Sequence, residues 1–238
     1  MGPGTSSSIV ILTGAGISAE SGLPTFRDNG GLWEQHRVED VATPEAFRRD
    51  PELVQRFYNE RRRRLINVSP NAAHHALVEL EQRWPGPLLL VTQNVDDLHA
   101  RAGSRNLIAM HGELLKARCM TCGAASEWEG DILPESRCPL CDQPGNLRPH
   151  IVWFGELPLE MDRIFAALEG CDLFLAIGTS GTVYPAAGFV NAVPRTARTI
   201  EINLEMSLSG SRFDEQRQGS ATAQVPELVA ELLKGTLN

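Results

Sequence analysis

Four of the five cysteines fall in one short segment with the spacing C-x2-C-x15-C-x2-C: Cys119 and Cys122 in "CMTC", Cys138 and Cys141 in "CPLC". Two such knuckles suit a tetrahedral thiolate site around zinc, and a chain carrying them must fold so that both pairs meet. The same residues admit disulfides, which the lack of a secretion signal disfavours, or redox pairs, which more naturally sit singly at a helix start. With four sulfur ligands a zinc ion has no open position for water or substrate, so the metal is expected to be structural and the chemistry to lie elsewhere. A zinc ribbon can also be a nucleic-acid or protein-binding module. Here, however, Glu113, Glu127, Glu129, Asp131 and Glu135 offset Lys116, Arg118 and Arg137. Cys171, just before "LFLAIG", reads as a core thiol.

The cysteine segment interrupts a regular alternation. "SIVILTGAG" reads as a buried strand, Ile9 to Leu12, entering a glycine turn, and "ISAESG" can open a helix after it. Apolar runs recur in "PLLLVTQN", "NLIAMHG", "CDLFLAIGTS" and "RTIEINLE", separated by helix-capable segments. The expected fold is α/β, a Rossmann-like doubly wound parallel sheet with a smaller zinc-binding module and a helical insertion. The boundaries expected are 8–27, 68–113 and 149–238 for the sheet domain, 28–67 for a cofactor loop and helical insertion, and 114–148 for the zinc module. Within the insertion, helices are expected to begin near Pro44 and Pro51.

Composition limits the partners. Across 238 residues the formal net charge is -8, which argues against a surface built to bind nucleic acid nonspecifically. Lys116 and Lys234 are the only lysines, so positive charge is carried almost entirely by arginine. No apolar run reaches the roughly 18 residues needed to cross a bilayer, and "MGPGTSSS" lacks the pattern of a secretion signal. A cytoplasmic monomer, bound neither to membrane nor to specific nucleic acid, is the expectation.

"GAGISA", Gly14 to Ala19, fits G-x-G-x-x-A between a strand and a helix-capable segment, where backbone can approach a pyrophosphate. A dinucleotide dehydrogenase would place an acid on a second strand about 20 residues on. The nearest acids here, Glu34, Glu39 and Asp40, lie where no strand pattern exists, which disfavours a dehydrogenase. Better ribose readers are Asn203 and Glu205 in "EINLE", after a strand expected over Thr199 to Ile202. "GTS", Gly178 to Ser180, and "TQNVDD", Thr92 to Asp97, end other strands with polar groups. Capping explains any one of these; their coincidence at strand ends points to a ligand. His111 in "AMHGE" ends another strand, and its ordinary pKa suits a general base. His36, His74, His75, His99 and His150 read as hydrogen-bonded structural residues.

Taken together and in this order, "GAGISAESGLPTFRD", "TQNVDDLH", "HGE", the paired CxxC knuckles, "GTS" and "INLE" resemble the sirtuins, the NAD-dependent protein lysine deacylases. The resemblance runs from about Ser8 to the carboxyl terminus. It implies that NAD is consumed as a co-substrate, nicotinamide leaves, and the acyl group of an acyl-lysine protein or peptide passes to ADP-ribose through a peptidyl-imidate. Protein ADP-ribosylation is the alternative within the family. By this resemblance His111 is the base, and the NAD positions are Gly14, Ala15, Gly16, Phe26, Arg27, Gln93, Asn94, Asp96, Gly178, Thr179, Ser180, Asn203, Leu204, Glu205 and Ala221. Asp96 would hold the nicotinamide amide, and Phe26 would shield the reacting ribose. Val152, Trp153 and Phe154 in "VWFGE" resemble the family's substrate-binding strand.

"FYNERRRRL" bears on the acyl group. Tyr58 and Arg61 match the Y-x-x-R pair of class III sirtuins, and residues three apart share a helix face, so both can hold one carboxylate. Ala42 matches the small residue that leaves room for a longer acyl chain. The implied substrates are succinyl-, malonyl- and glutaryl-lysine, with deacetylation retained. Arg62, Arg63 and Arg64 are expected to face water, as charge runs on helices do.

Overall fold

The computed structural model describes residues 7–24, 36–205 and 212–235. Its main sheet grows around β1 (Ile9–Thr13), a strand buried along its whole length. β1 pairs in parallel with β2 (Leu88–Thr92) on one side and β7 (Leu173–Ile177) on the other, both equally buried. These near-continuous apolar runs are what strands covered on both faces require.

Outward from this centre lie β3 (Leu107–Ala109), β8 (Arg198–Asn203) and β9 (Glu215–Gln218), so the six parallel strands run β3-β2-β1-β7-β8-β9. That is the doubly wound order with its switch point between β1 and β7. Alternating side chains feed two cores. Ile9, Ile11 and Leu90 pack with the helices α4 (Ala72–Arg83) and α7 (Ala221–Lys234), while Val10, Leu12 and Phe174 pack with α6 (Met161–Glu169).

Two additions leave this sheet. A three-stranded antiparallel sheet, β5-β4-β6, is made of β4 (Gly112–Cys119), β5 (Ala125–Glu127) and β6 (Leu147–Ile151), and it carries the cysteine knuckles. The helices α1 (Val38–Val41), α2 (Pro44–Arg49) and α3 (Pro51–Leu65) form the insertion. α2 and α3 begin where proline sits in the first turn after a capping side chain, Thr43 accepting from the Ala46 amide and Asp50 from the Leu53 amide. A short helix, α5 (Leu98–Ala102), follows β2.

Three expectations change. The segment after the glycine turn forms two 3-10 turns, Ala15–Ile17 and Ala19–Ser21, and not an α-helix. The chain reverses at Gly22 with φ of 97°, and the Ser18 hydroxyl is engaged with Asp96 and Asn94. "VWFGE" is not a strand: β6 stops at Ile151, Gly155 turns the chain at φ of 92°, and the Glu156 carboxylate takes the Trp153 amide.

The third change concerns the arginine run. Arg63 and Arg64 are exposed and pair with Asp131 and Glu60, but Arg62 is fully buried. Its Nε donates to the Leu114 carbonyl at 2.9 Å and its Nη1 to Asn59 Oδ1 at 2.7 Å. α3 is covered on two sides, by the first part of the insertion and by the cysteine-bearing module, so no single water-facing stripe accommodates the run.

Candidate active site

At the carboxyl edge of β1, β2, β3, β7 and β8 the loops are stitched together by backbone and side-chain bonds. The Gly14 amide donates to the Ile177 carbonyl at 3.0 Å and the Gly16 amide to the Gly178 carbonyl at 2.9 Å. A Cβ on Gly16 would lie 2.7 Å from the Gly178 Cα, and one on Gly178 would lie 2.5 Å from the Ile17 nitrogen. Gly178 also has φ of 62°. Only glycine lets these two turns touch, and the contact leaves bare backbone facing the space above the sheet.

Neighbouring strand ends complete the platform. Gln93 Nε2 donates to Thr179 Oγ1 at 3.2 Å, and Asn94 Nδ2 donates to the Gly14 carbonyl at 3.1 Å. Asn203 Nδ2 donates to the Thr179 carbonyl and to Glu201. Asp96 accepts from Ser18 Oγ at 3.0 Å and from the Leu98 amide at 3.1 Å, and burial raises its pKa above the usual carboxylate value.

His111 follows β3. Its Nδ1 lies 3.0 Å from the Gln93 carbonyl oxygen, and since a carbonyl only accepts, Nδ1 carries the proton. The lone pair of a neutral ring is therefore on Nε2. Burial lowers the pKa, with the Gln93 bond opposing it, so the ring is uncharged near neutrality.

A single cavity of about 1830 Å³ spans this platform and the insertion helices. Gly14, Ala15, Gly16, Gln93, Asn94, Asp96, His111, Gly178, Thr179, Ser180, Asn203, Leu204, Glu205 and Ala221 all line it, together with Ala42, Tyr58, Arg61, Val152, Trp153 and Phe154. Phe26 and Arg27 lie outside the described residues. The volume exceeds the roughly 300–1,000 Å³ of ordinary small-molecule pockets.

The far end of the cavity is aromatic. Tyr58 is fully buried, its hydroxyl accepts from Trp153 Nε1 at 3.0 Å, and burial holds its pKa far above the ordinary phenol value. Arg61 is half-buried one turn further along α3, with its Cζ 5.5 Å from the Phe57 ring centroid. Ala42 is buried beside them, where its carbonyl accepts from the Phe154 amide.

In the smaller sheet the four cysteine sulfurs lie within 4.8 Å of one another, with Cys119 and Cys141 at 3.7 Å and Cys122 and Cys138 at 3.8 Å. All four are free thiols, which removes the disulfide reading. Zinc–sulfur bonds of about 2.3 Å in a tetrahedron put sulfurs about 3.8 Å apart, so the four fit one zinc ion.

A Sir2 family profile matches residues 14–185, which include the glycine turn, the polar groups that follow β2 and β7, His111 and the cysteine knuckles. The chain belongs to the Sir2 family. A Salmonella typhimurium protein named NAD-dependent protein deacylase is 59% identical to this Sir2 chain over 230 residues, 95% of this chain and 84% of that protein. A solved Sir2 homolog–NAD complex is 42% identical, with a TM-score of 0.87 over 98% of this chain and 92% of the other. A Sir2 complex with deacetylated p53 peptide and 3'-O-acetyl ADP ribose is 28% identical, with a TM-score of 0.79 over 95% of this chain and 92% of the other.

Several residues that shape this Sir2 site were not singled out in the sequence. Ser18 ties the glycine turn to Asp96, and Arg148 lies beneath Trp153 with its Cζ 3.4 Å from the ring centroid. Asn59 bridges α3 to the cysteine module, donating to the Ile132 carbonyl and accepting its amide. Polar residues three apart on a helix, Asn59 and Arg62, were the available signal, hidden inside the arginine run.

Proposed function

We propose that this chain is an NAD-dependent protein deacylase whose acyl pocket takes succinyl- and malonyl-lysine, with acetyl-lysine as a further substrate. The observation that carries the acyl assignment is that Tyr58, Arg61 and Ala42 line the same cavity as His111 and the glycine platform. A guanidinium at the end of an apolar pocket gives a carboxylate a charge-assisted partner that an acetyl group does not need. Tyr58 orients beside it through Trp153.

The remaining roles follow the family resemblance, and for the described residues their place in the cavity wall supports them. Gly14, Ala15 and Gly16 with Gly178, Thr179 and Ser180 offer close-approach backbone and hydroxyls to the NAD phosphates. Asn203, Leu204, Glu205 and Ala221 would face the adenosine end and Gln93, Asn94 and Asp96 the nicotinamide end, while by the family resemblance Phe26 would shield the reacting ribose and Arg27 would lie near the phosphates. NAD supplies the electrophilic ribose carbon and a leaving group. His111, neutral with Nε2 free to accept, takes the proton from a ribose hydroxyl. Val152, Trp153 and Phe154 meet the peptide carrying the acyl-lysine, between the sheet domain and the zinc module. The zinc ion, held by Cys119, Cys122, Cys138 and Cys141, is structural, since four thiolates fill its coordination.

The test is nicotinamide release from NAD with a succinyl-lysine peptide. Release that requires the peptide, and that His111→Tyr abolishes while zinc content and Tm are kept, supports the reading. No release with any acyl-lysine peptide would sink it.

A further inference from the structure

Arg118 on β4 and Arg148 on β6 are direct cross-strand partners in an antiparallel pair. Like charges so placed repel unless a counter-charge lies between them. Glu156 supplies one, gripping Arg148 with bonds of 2.7 and 2.9 Å. Arg148 is only 6% exposed, and its buried Nε has no hydrogen-bond partner. Arg118 donates to His150 Nδ1 at 3.3 Å and forms no ion pair with a carboxylate among the described residues. Glu113, on the same strand, is engaged with Lys116 at 2.7 Å. One carboxylate therefore lies near two guanidiniums and bonds only Arg148.

These groups surround a second cavity of about 230 Å³, lined by Arg118, Arg148, His150 and Glu156 with aliphatic side chains from Ile151 and Leu159. A water molecule occupies about 30 Å³, so the space holds a small ion with its hydration. We infer that this cavity is a subsite for a small oxyanion, a carboxylate or phosphate group held by Arg118 against Arg148 and His150.

Its position suggests where such a group comes from. The cavity shares Ile151, Val152, Glu156 and Leu157 with the wall of the large cavity. A polypeptide that places its acyl-lysine in the large cavity passes this wall, so an Asp or Glu flanking the acyl-lysine can reach Arg118. That source rests on the deacylase reading. Free phosphate, the other source, does not.

Two measurements on the zinc-loaded full chain test the subsite. The first compares kcat/KM for acyl-lysine peptides carrying Asp or Ala singly at each position up to three residues on either side. The subsite predicts one position where Asp gains about tenfold over Ala, the size of one charge-assisted bond. Arg118→Gln removes the gain without changing the Ala-peptide rate, and Arg118→Lys keeps part of it. The second titrates inorganic phosphate calorimetrically into the wild-type chain and Arg118→Gln. Saturable binding lost in the variant, without an Asp preference, supports the subsite with free anion as its occupant. If Asp gives no gain and phosphate gives no Arg118-dependent binding, the inference is overturned. If no peptide is turned over, the deacylase reading fails while the phosphate titration still decides the subsite.

Discussion

Trp153 Nε1 donates to the Tyr58 hydroxyl at 3.0 Å, joining the turn after β6 to α3 in the wall of the large cavity. A phenol held from behind in this way presents its hydroxyl in one orientation. Trp153→Phe removes the donor and keeps an aromatic ring. A neutral hydrogen bond is worth about 1 kcal/mol net, so KM for a succinyl-lysine peptide should rise about fivefold. KM for the acetyl peptide should change less than twofold. Equal increases for both peptides would show that Trp153 only packs.

Arg62 predicts a stability effect unlike that of its neighbours. Burial lowers its pKa to about 10, so it stays charged at neutrality and bonds the Leu114 carbonyl and Asn59. Arg62→Ala strands those acceptors and opens space, which should cost about 3 kcal/mol or more. Arg63→Ala and Arg64→Ala lose the exposed pairs with Asp131 and Glu60 and should stay within about 0.5 kcal/mol. Denaturant midpoints at constant m-value separate the cases. A neutral Arg62→Ala would contradict the buried clamp.

His74 and His99 lie with ring centroids 4.8 Å apart, and His99 Nε2 meets Thr13 Oγ1 at 3.0 Å. Burial lowers their pKa values to about 4 and about 3. In the unfolded chain both protonate near pH 6.5. Between those values the unfolded state binds more protons, so stability is full above pH 6.5 and falls as the pH drops towards 4. At pH 5 the loss should be on the order of 2 kcal/mol per ring. Urea midpoints at pH 7.5 and pH 5 measure it, and His99→Gln should reduce the difference. Equal midpoints in the wild-type chain would refute the assignment.

The cysteine cluster predicts one zinc per chain by elemental analysis. Chelation should lower the Tm and loosen the bonds that α3 makes to the module through Asn59 and Ile132. Hydrogen exchange at the Ile132 amide reads this directly. Zinc bound at other than one per chain would contradict a closed four-thiolate site.

The parallel core was legible because strands buried on both faces must be apolar throughout: β1, β2 and β7 announce themselves as "IVILT", "LLLVT" and "LFLAI". β9, "EQRQ", was not. It is an edge strand held by ion pairs, Arg198 with Glu215 and Arg217 with Glu231, and carries no apolar signal. The cysteine spacing and the strand-end polar groups pointed to positions that the fold gathers around one cavity or one sulfur cluster. Arg62 was misread because a charge run normally marks a helix face in water, whereas α3 packs on two sides. The role of Arg148 beneath Trp153 depends on a turn closed by Glu156, a tertiary relationship that no local pattern displays.

The most direct test of acyl-carboxylate recognition is the ratio of kcat/KM for succinyl- and acetyl-lysine forms of one peptide, measured for the wild-type chain and for Arg61→Met. Arg61→Met should lower the succinyl rate at least tenfold, the scale of one charge-assisted pairing, and leave the acetyl rate within about threefold. Equal losses on both substrates would contradict carboxylate recognition by Arg61.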